Sequence, residues 1–253
     1  MREWITGRNP VYEVLRAQRR HVFQLMISRN AREKGRLAEI IKLCSTQNIQ
    51  VTRVTPEELN APSSNHQGVA LETSGYPYQT LHDIFDRALA LGEDPLILLL
   101  DTLQDPQNLG TLLRSAEIVG VHGVVLPFKR TATITPAVVS ASSGASEHLL
   151  IAQANLSQSI TLLKEKGVWV VGLDGSPESS APSQIRLNGP LAFVVGSEGR
   201  GMRPLVLKSC DYLMKLPMRG RIESLNAAVA GSIALYLAWQ ARGFYRESNL
   251  IKH

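Results

Sequence analysis

Cysteine is scarce in this sequence: only Cys44 and Cys210 are present, far apart and without C-x-x-C spacing. This argues against a disulfide-stapled secreted fold and favours free thiols in a reducing cytoplasm. The six histidines show no metal-ligand spacing either, so we predict no bound metal.

Long apolar runs are also missing. The longest candidate runs from Ala227 to Ala241 and is shorter than the roughly 20 residues that a membrane-spanning helix needs. The first ten residues, MREWITGRNP, lack the apolar core of a signal peptide. We therefore expect a cytoplasmic protein that makes no contact with a membrane.

Charge is unevenly distributed along the chain, which carries a formal net charge of +5. Residues 1–60 hold 11 Lys/Arg against 6 Asp/Glu, residues 61–95 hold 1 against 5, and residues 96–253 hold 15 against 11. Two basic blocks that flank an acidic segment fit either ordinary solubility or a polyanionic partner. The candidates for RNA contact in the N-terminal block are Arg8, Arg19, Arg20, Arg29, Arg32, Lys34 and Arg36.

Two regions differ in their pattern of strands and helices. The pattern of residues 1–74 predicts a small α/β domain. Its predicted strands are 22–27, 49–54 and 68–71, and its predicted helices are 30–44 and a short one that starts at residue 56. Residues 75–94 read as a linker that includes a helix at 81–91, and its boundary is marked by Gly92-Glu93-Asp94-Pro95.

Residues 95–253 alternate short apolar runs with helical stretches. The predicted strands are 96–100, 123–127, 168–173, 191–195 and 212–216, and the predicted helices lie near 109–119, 136–145, 156–166, 203–209 and 224–242. This alternation predicts an α/β domain with a mainly parallel, doubly wound sheet. Ligands bind at the carboxyl ends of the strands in such sheets, where Asp101, Gly172, Gly196 and Leu216 lie.

Three segments at strand ends carry polar groups that suit a small-molecule site. In DPQNLGTLLRSA, Asn108 is expected to cap a helix, Gly110 to allow a close approach, and Arg114 to reach back toward the helix start. In FVVGSEGRGM, three glycines follow a strand, but neither G-x-G-x-x-G nor a P-loop is present. In LPMRGRIESLNAAVA, Ser224 and Asn226 open a long apolar helix.

Taken together, these segments resemble the three signature motifs of the SpoU (TrmH-like) 2′-O-ribose methyltransferases. SASSGASEHLLIAQANL is similar to the region between the first two motifs. ITGRNPVYEVLRA and HQGVAL are similar to the substrate-binding domain of the RlmB-type subgroup, which modifies a guanosine of large-subunit (23S-type) ribosomal RNA.

The resemblance implies an S-adenosylmethionine-dependent enzyme with a deep trefoil knot in its C-terminal domain and a homodimer formed through that domain. It implies cofactor contacts from backbone groups at Gly196, Leu216 and Leu225. It also implies that Arg114 activates the ribose 2′-hydroxyl, with the catalytic positions completed by Asn108, Glu198, Ser224 and Asn226.

Other functions remain open at this point. Within the same family, transfer RNA is the alternative substrate. A catalytically silent RNA-binding factor for ribosome assembly would use the same fold, although the intact motif residues argue against it. A nicotinamide-dependent dehydrogenase is disfavoured because G-x-G-x-x-G is missing.

Overall fold

A computed structural model describes residues 2–60, 65–222 and 224–244. Its strands and helices follow in chain order: β1 (Arg2–Thr6), α1 (Arg8–Ala17), β2 (Val22–Ser28), α2 (Arg36–Thr46), β3 (Val51–Val54), α3 (Pro56–Asn60), β4 (Val69–Ser74), α4 (Leu81–Leu91), β5 (Leu96–Leu100), α5 (Pro106–Ile118), β6 (Gly123–Leu126), α6 (Pro136–Ala141), β7 (Ile151–Gln153), α7 (Leu156–Glu165), β8 (Trp169–Leu173), β9 (Leu191–Val195), α8 (Pro204–Ser209), β10 (Tyr212–Met214) and α9 (Ala227–Ala241). Short 3₁₀ helices cover Ala145–His148 and Pro182–Gln184.

The chain forms two compact units. The first unit comprises residues 1–78, 105–117 and 132–149, and the second comprises 79–104, 118–131 and 150–253. Two segments from the middle of the chain, one of which contains most of α5, thus belong with the N-terminal residues.

A mixed four-stranded sheet in the order β1-β4-β2-β3 organises the first unit. β4 runs antiparallel to both of its neighbours, and β2 runs parallel to β3. Ile5, Leu25, Ile27 and Leu71 are fully or almost fully buried in this unit. Burying such side chains supplies most of the driving force for folding.

A six-stranded sheet in the order β10-β8-β9-β5-β6-β7 organises the second unit, and every pair in it is parallel. All five residues of β5 and of β9 are buried, as expected for central strands covered on both faces. The structure therefore confirms the predicted α/β class, with a mainly parallel sheet in the C-terminal part.

Short polar residues fix several helix starts. Thr80 and Asp83 form a capping box at α4, and Gly92 ends that helix in the left-handed conformation. The side chain of Asn155 accepts hydrogen bonds from the amides of Ser157 and Gln158 at the start of α7.

The predicted strands of the second unit are confirmed to within one or two residues, but some helix bounds were wrong. α2 begins at Arg36 and not at 30, because Gly35 takes a positive φ of 56° just before it. α6 ends at Ala141, because Ser143 and Gly144 both take positive φ and break the helix. β1, α1 and β7 were not predicted.

Within the described ranges, no helix combines the length and the apolar composition that crossing a membrane requires. The same residues contain no group of three or more His, Cys, Asp or Glu side chains arranged to hold a metal ion.

Candidate active site

A cavity of about 650 Å³ lies in the second unit, within the size range of small-molecule sites. Four chain segments line it, at the ends of β8, β9 and β10 and at the start of α9. The cavity thus lies at the carboxyl ends of parallel strands, where such sheets bind ligands. The lining residues are Leu173–Gly175, Val195–Gly199, Gly201, Met214–Leu216, Met218, Ser224–Ala227 and Ala230.

Gly196 allows the chain to fold back sharply after β9. A Cβ atom at this position would lie 2.3 Å from the carbonyl carbon of Gly201 and 2.4 Å from the nitrogen of Met202. Ser197 and Gly201 pair through both backbone groups, at 3.1 and 3.0 Å. Residues 196–201 therefore form a tight turn, which we call the glycine turn, and most of its residues line the cavity.

A buried carboxylate fixes the far end of the glycine turn. Asp101, directly after β5, is fully buried, and its two oxygens accept hydrogen bonds from the backbone nitrogen and the Nε of Arg203, both at 2.7 Å. Hydrogen bonds between a carboxylate and charged or backbone donors are among the stronger ones in proteins. Asp101 thus positions the turn and does not itself line the cavity.

Two residues from different predicted motifs meet at the rim. The Oδ1 of Asn226 accepts a hydrogen bond from the amide of Val229 at 3.1 Å, which caps α9. Its Nδ2 donates a hydrogen bond to the Oε1 of Glu198 on the glycine turn. One amide therefore caps the helix and also ties its start to the glycine turn.

The lining suits a ligand with a flat apolar part and a cationic part. Leu173, Leu216 and Leu225 supply apolar walls. The carboxylates of Asp174 and Glu198 supply two negative charges against the one positive charge of Lys215, so the lining is negative on balance. Sulfonium and ammonium groups match this charge, and adenine matches an apolar slot. These residues fit S-adenosylmethionine. All three positions predicted to bind the cofactor, Gly196, Leu216 and Leu225, line this one cavity.

Both cysteine thiols are free but unsuited to nucleophilic chemistry. Burial raises the pKa of Cys44 to about 11, and burial together with the charge of Asp211 raises the pKa of Cys210 to about 12. Both thiols stay protonated at neutral pH.

The remaining predicted catalytic residues, Asn108 and Arg114, lie on α5 in the first unit. The prediction that Asn108 caps this helix was wrong. Asp105 is the cap, since its side chain accepts the backbone amides of Gln107 and Asn108 at 3.1 and 3.2 Å. Arg114 is exposed, and its Nη1 donates a hydrogen bond to the Oγ of Ser143 at 3.3 Å.

Two of the basic residues proposed for RNA contact serve the fold. Arg20 is buried and ion-paired with Glu147 and Glu3. Arg19 donates hydrogen bonds to the hydroxyl of Tyr76 and to the carbonyl oxygen of Leu149. For Arg20 the RNA-contact hypothesis was wrong, because its side chain is inaccessible to a macromolecule.

The sequence reasoning missed Asp174, Lys215 and Met218 among the lining residues. Asp174 and Lys215 each follow directly after a strand of the parallel sheet, β8 and β10. Their position directly after a parallel strand is the sequence signal for both residues.

Replacing Gly196 with alanine tests how strictly the site depends on the glycine turn. Because the added methyl group would collide with backbone that cannot move independently, we expect Gly196→Ala to lower the melting temperature by at least about 5 °C. We also expect its affinity for S-adenosylmethionine, measured by calorimetry, to fall at least about tenfold. Gly189→Ala is the control, since its methyl group would meet no atom within 4 Å. Equal stability and affinity in the two variants would contradict this account.

Comparison with known proteins agrees with the fold. The family model described as "SpoU rRNA Methylase family" matches residues 95–236, and "RNA 2'-O ribose methyltransferase substrate binding" matches residues 4–79. The YacO protein of Bacillus subtilis (strain 168) is named provisionally as a TrmH family tRNA/rRNA methyltransferase. It is 39% identical to this chain, and the alignment covers 95% of this chain and 96% of YacO. The 23S rRNA (guanosine-2'-O-)-methyltransferase RlmB of Xylella fastidiosa (strain 9a5c) is 36% identical to this chain. The alignment covers 95% of this chain and 97% of that protein.

A solved structure shares the fold at lower sequence identity. The SpoU methyltransferase AviRb from Streptomyces viridochromogenes, crystallised with AdoMet, aligns with a TM-score of 0.80 and 23% identity, covering 96% of this chain and 92% of its own. Together with the family-model matches, these relatives show that the chain belongs to the SpoU rRNA methylase family and is an RNA 2′-O-ribose methyltransferase that uses S-adenosylmethionine.

Proposed function

We propose that this enzyme methylates the ribose 2′-hydroxyl of a guanosine in large-subunit, 23S-type ribosomal RNA. The observation that carries the proposal is similarity over both parts of the chain to a relative named for that reaction, at 36% identity and 95% coverage. The match of residues 4–79 to a substrate-binding model supports RNA recognition by the N-terminal residues.

Transfer RNA is the second candidate substrate, since the similar B. subtilis protein is named for both tRNA and rRNA. A catalytically silent assembly factor is a weaker candidate. A silent protein would have no need to keep the hydrogen bond from Asn226 to Glu198 at the mouth of a cofactor-sized cavity.

We assign cofactor binding to the cavity of the second unit. Main-chain groups at Gly196, Leu216 and Leu225 would hold S-adenosylmethionine, which supplies the methyl group when bound. Glu198, Ser224 and Asn226 would keep the glycine turn and the start of α9 in place around it. The contact between Asn226 and Glu198 supports this role.

We assign the activation of the acceptor hydroxyl to Arg114, assisted by Asn108. A neutral alcohol is a poor nucleophile, so negative charge must be stabilised on its oxygen as its proton passes to solvent water. A guanidinium stays protonated in proteins, which excludes Arg114 as a simple proton acceptor. Its exposed positive charge suits binding the neighbouring phosphate and stabilising the developing alkoxide.

We further propose that function divides along the chain as the sequence predicts. Residues 1–74 bind the RNA substrate, residues 75–94 link the two domains, and residues 95–253 carry out methyl transfer. The knot of this family lies in the C-terminal part. The two free thiols, Cys44 and Cys210, are compatible with the reducing cytoplasm where we place the enzyme.

A homodimer formed through α9 completes the proposal. The buried residues of α9 are mostly small, whereas Val229, Ile233 and Tyr236 are about 40% exposed. These three positions follow helical spacing and form an apolar stripe. A second copy of the chain would cover this stripe and remove its apolar surface from water.

Ribosomal RNA extracted from cells that lack the gene tests the proposed substrate. We expect the purified enzyme to transfer a labelled methyl group to one 23S-type guanosine in this RNA, and not to bulk tRNA from the same cells. The measurement is mapping of 2′-O-methyl sites before and after incubation. Modification of tRNA alone would replace the proposal with its alternative, and modification of neither RNA would favour the silent factor.

Arg114→Ala tests the assignment of the reacting group. Because the charge that stabilises the alkoxide is lost, we expect single-turnover methyl transfer to fall at least about a thousandfold. The calorimetric affinity for S-adenosylmethionine should stay within twofold. Arg186→Ala, which removes an exposed arginine in the second unit, serves as a control expected to retain the rate. Substantial transfer by the Arg114→Ala variant would refute the assignment.

Ile233→Asp tests the dimer. A carboxylate in the middle of the apolar stripe should weaken self-association at least about tenfold, since an unpaired charge would be buried at the contact. Light scattering at several concentrations measures this, with Leu89→Asp as the control because Leu89 is 80% exposed on α4. A monomeric wild type, or equal association of both variants, would contradict the proposal.

A further inference from the structure

We propose that Ser143 is a positioning residue for Arg114, and that the N-terminal sheet region holds Ser143 in place. The inference rests on the proposed role of Arg114. Its starting point is the hydrogen bond from Arg114 Nη1 to Ser143 Oγ at 3.3 Å. None of the three sequence motifs contains Ser143, which lies between α6 and the following 3₁₀ helix.

The backbone at Ser143 is held in a conformation that serine rarely adopts. Its φ is 54°, in the left-handed region, and Gly144 follows at 88°. Ser142 is fully buried, and its Oγ donates to the carbonyl of Val139 at 3.1 Å and accepts the amide of Ser146 at 3.4 Å. Strained residues that the surroundings hold in place are concentrated at functional sites. We call residues 142–148 the serine turn.

α5 lies directly against the serine turn. A Cβ atom on Gly110 would lie 2.4 Å from the Cβ of Ala141 and 2.8 Å from the nitrogen of Ser142, so only glycine fits at this contact. Arg114 is four residues further along the same helix, on the same face as Gly110. This packing aims the guanidinium at the serine turn. Because the remainder of Arg114 is exposed, its other nitrogens can face an RNA phosphate.

α1 supports the serine turn from the N-terminal residues. A Cβ atom on Gly144 would lie 2.6 Å from the Cβ of Glu13 and 3.3 Å from the Cα of Pro10, so the helix packs onto the backbone of the turn. Glu13 Oε2 also lies 2.7 Å from Nε2 of His148, at the end of the turn.

In addition to the packing of α1, a buried ion pair holds the serine turn in place. The guanidinium of Arg20 contacts both oxygens of Glu147, each at 2.8 Å, and both side chains are fully buried. Arg20 also pairs with Glu3 of β1 at 2.8 Å. Breaking a buried pair leaves an uncompensated charge, so this contact strongly opposes movement of the turn. The substrate-binding region would therefore set the orientation of Arg114 in addition to binding RNA.

Replacing Ser143 with glycine separates positioning from a purely structural role. Ser143→Gly removes the hydroxyl and relieves the left-handed strain, so its melting temperature should equal or exceed that of the wild type. We expect its single-turnover rate at saturating RNA and cofactor to fall about tenfold, because a hydrogen bond to a charged group is lost. Dissociation constants for RNA and S-adenosylmethionine should stay within twofold.

Ser143→Asn is the rescue variant, because asparagine tolerates the left-handed conformation and its amide oxygen can accept a hydrogen bond from Arg114. We expect its rate to recover to within about threefold of the wild type. A wild-type rate in Ser143→Gly, or a rate in Ser143→Asn as low as in Ser143→Gly, would overturn the proposal.

A second experiment tests the contribution of α1. Glu13→Gln replaces the carboxylate that lies 2.7 Å from His148, and we expect it to lower the rate about threefold in the wild type but not further in Ser143→Gly. Independent effects of the two changes would show that α1 does not act through Ser143. If Arg114→Ala itself remained active, the proposed function of Arg114 would fail. If only the Ser143 variants remained active, this inference alone would fail.

Discussion

The close approach between Gly196 and the backbone of Gly201 and Met202 is the constraint on which the proposed cofactor site depends. No other residue can occupy position 196 without moving main chain, because a Cβ atom there would lie 2.3 Å from the carbonyl carbon of Gly201. Asp101 then holds the outgoing chain through two hydrogen bonds to Arg203. The glycine turn is thus fixed at both ends by groups that belong to the parallel sheet or adjoin it.

Main-chain rigidity explains why much of the predicted ligand contact comes from backbone. Strands β8, β9 and β10 end side by side in the sheet, and the segments after them line one cavity. The capped start of α9 lines the same cavity and is tied to the glycine turn through Asn226 and Glu198. A site built this way needs few specialised side chains, which fits the modest number of polar groups in its lining.

The serine turn in the first unit is also held by close backbone contacts at glycines and by a buried carboxylate. Glycines at 110 and 144 permit backbone contact on two sides, and the buried pair of Arg20 with Glu147 closes the arrangement. Arg20, whose charge in the sequence suggests a surface contact with RNA, is structural here. The charge of an arginine does not tell whether the residue contacts RNA or holds a loop in position, because both roles require a positive charge.

Periodicity predicted most of the second unit, because its buried strands are continuous apolar runs such as LILLL and LAFVV. The motifs predicted Gly196, Glu198, Leu216, Ser224, Leu225 and Asn226, which line one cavity. Periodicity missed β7, which has only three residues. It also placed the start of α2 and the end of α6 wrongly, because the positive φ of Gly35 lies before α2 and that of Ser143 lies after α6. Contacts between distant residues, such as Asp101 with Arg203, leave no local signal in a single sequence.

Backbone amide exchange with and without S-adenosylmethionine tests the central claim most directly, because the claim concerns main-chain groups. The account predicts slower exchange on binding in residues 195–201, 214–218 and 224–227, with no comparable change in the sheet of the first unit. Binding that left those three segments unprotected, or that protected a different part of the chain, would contradict it.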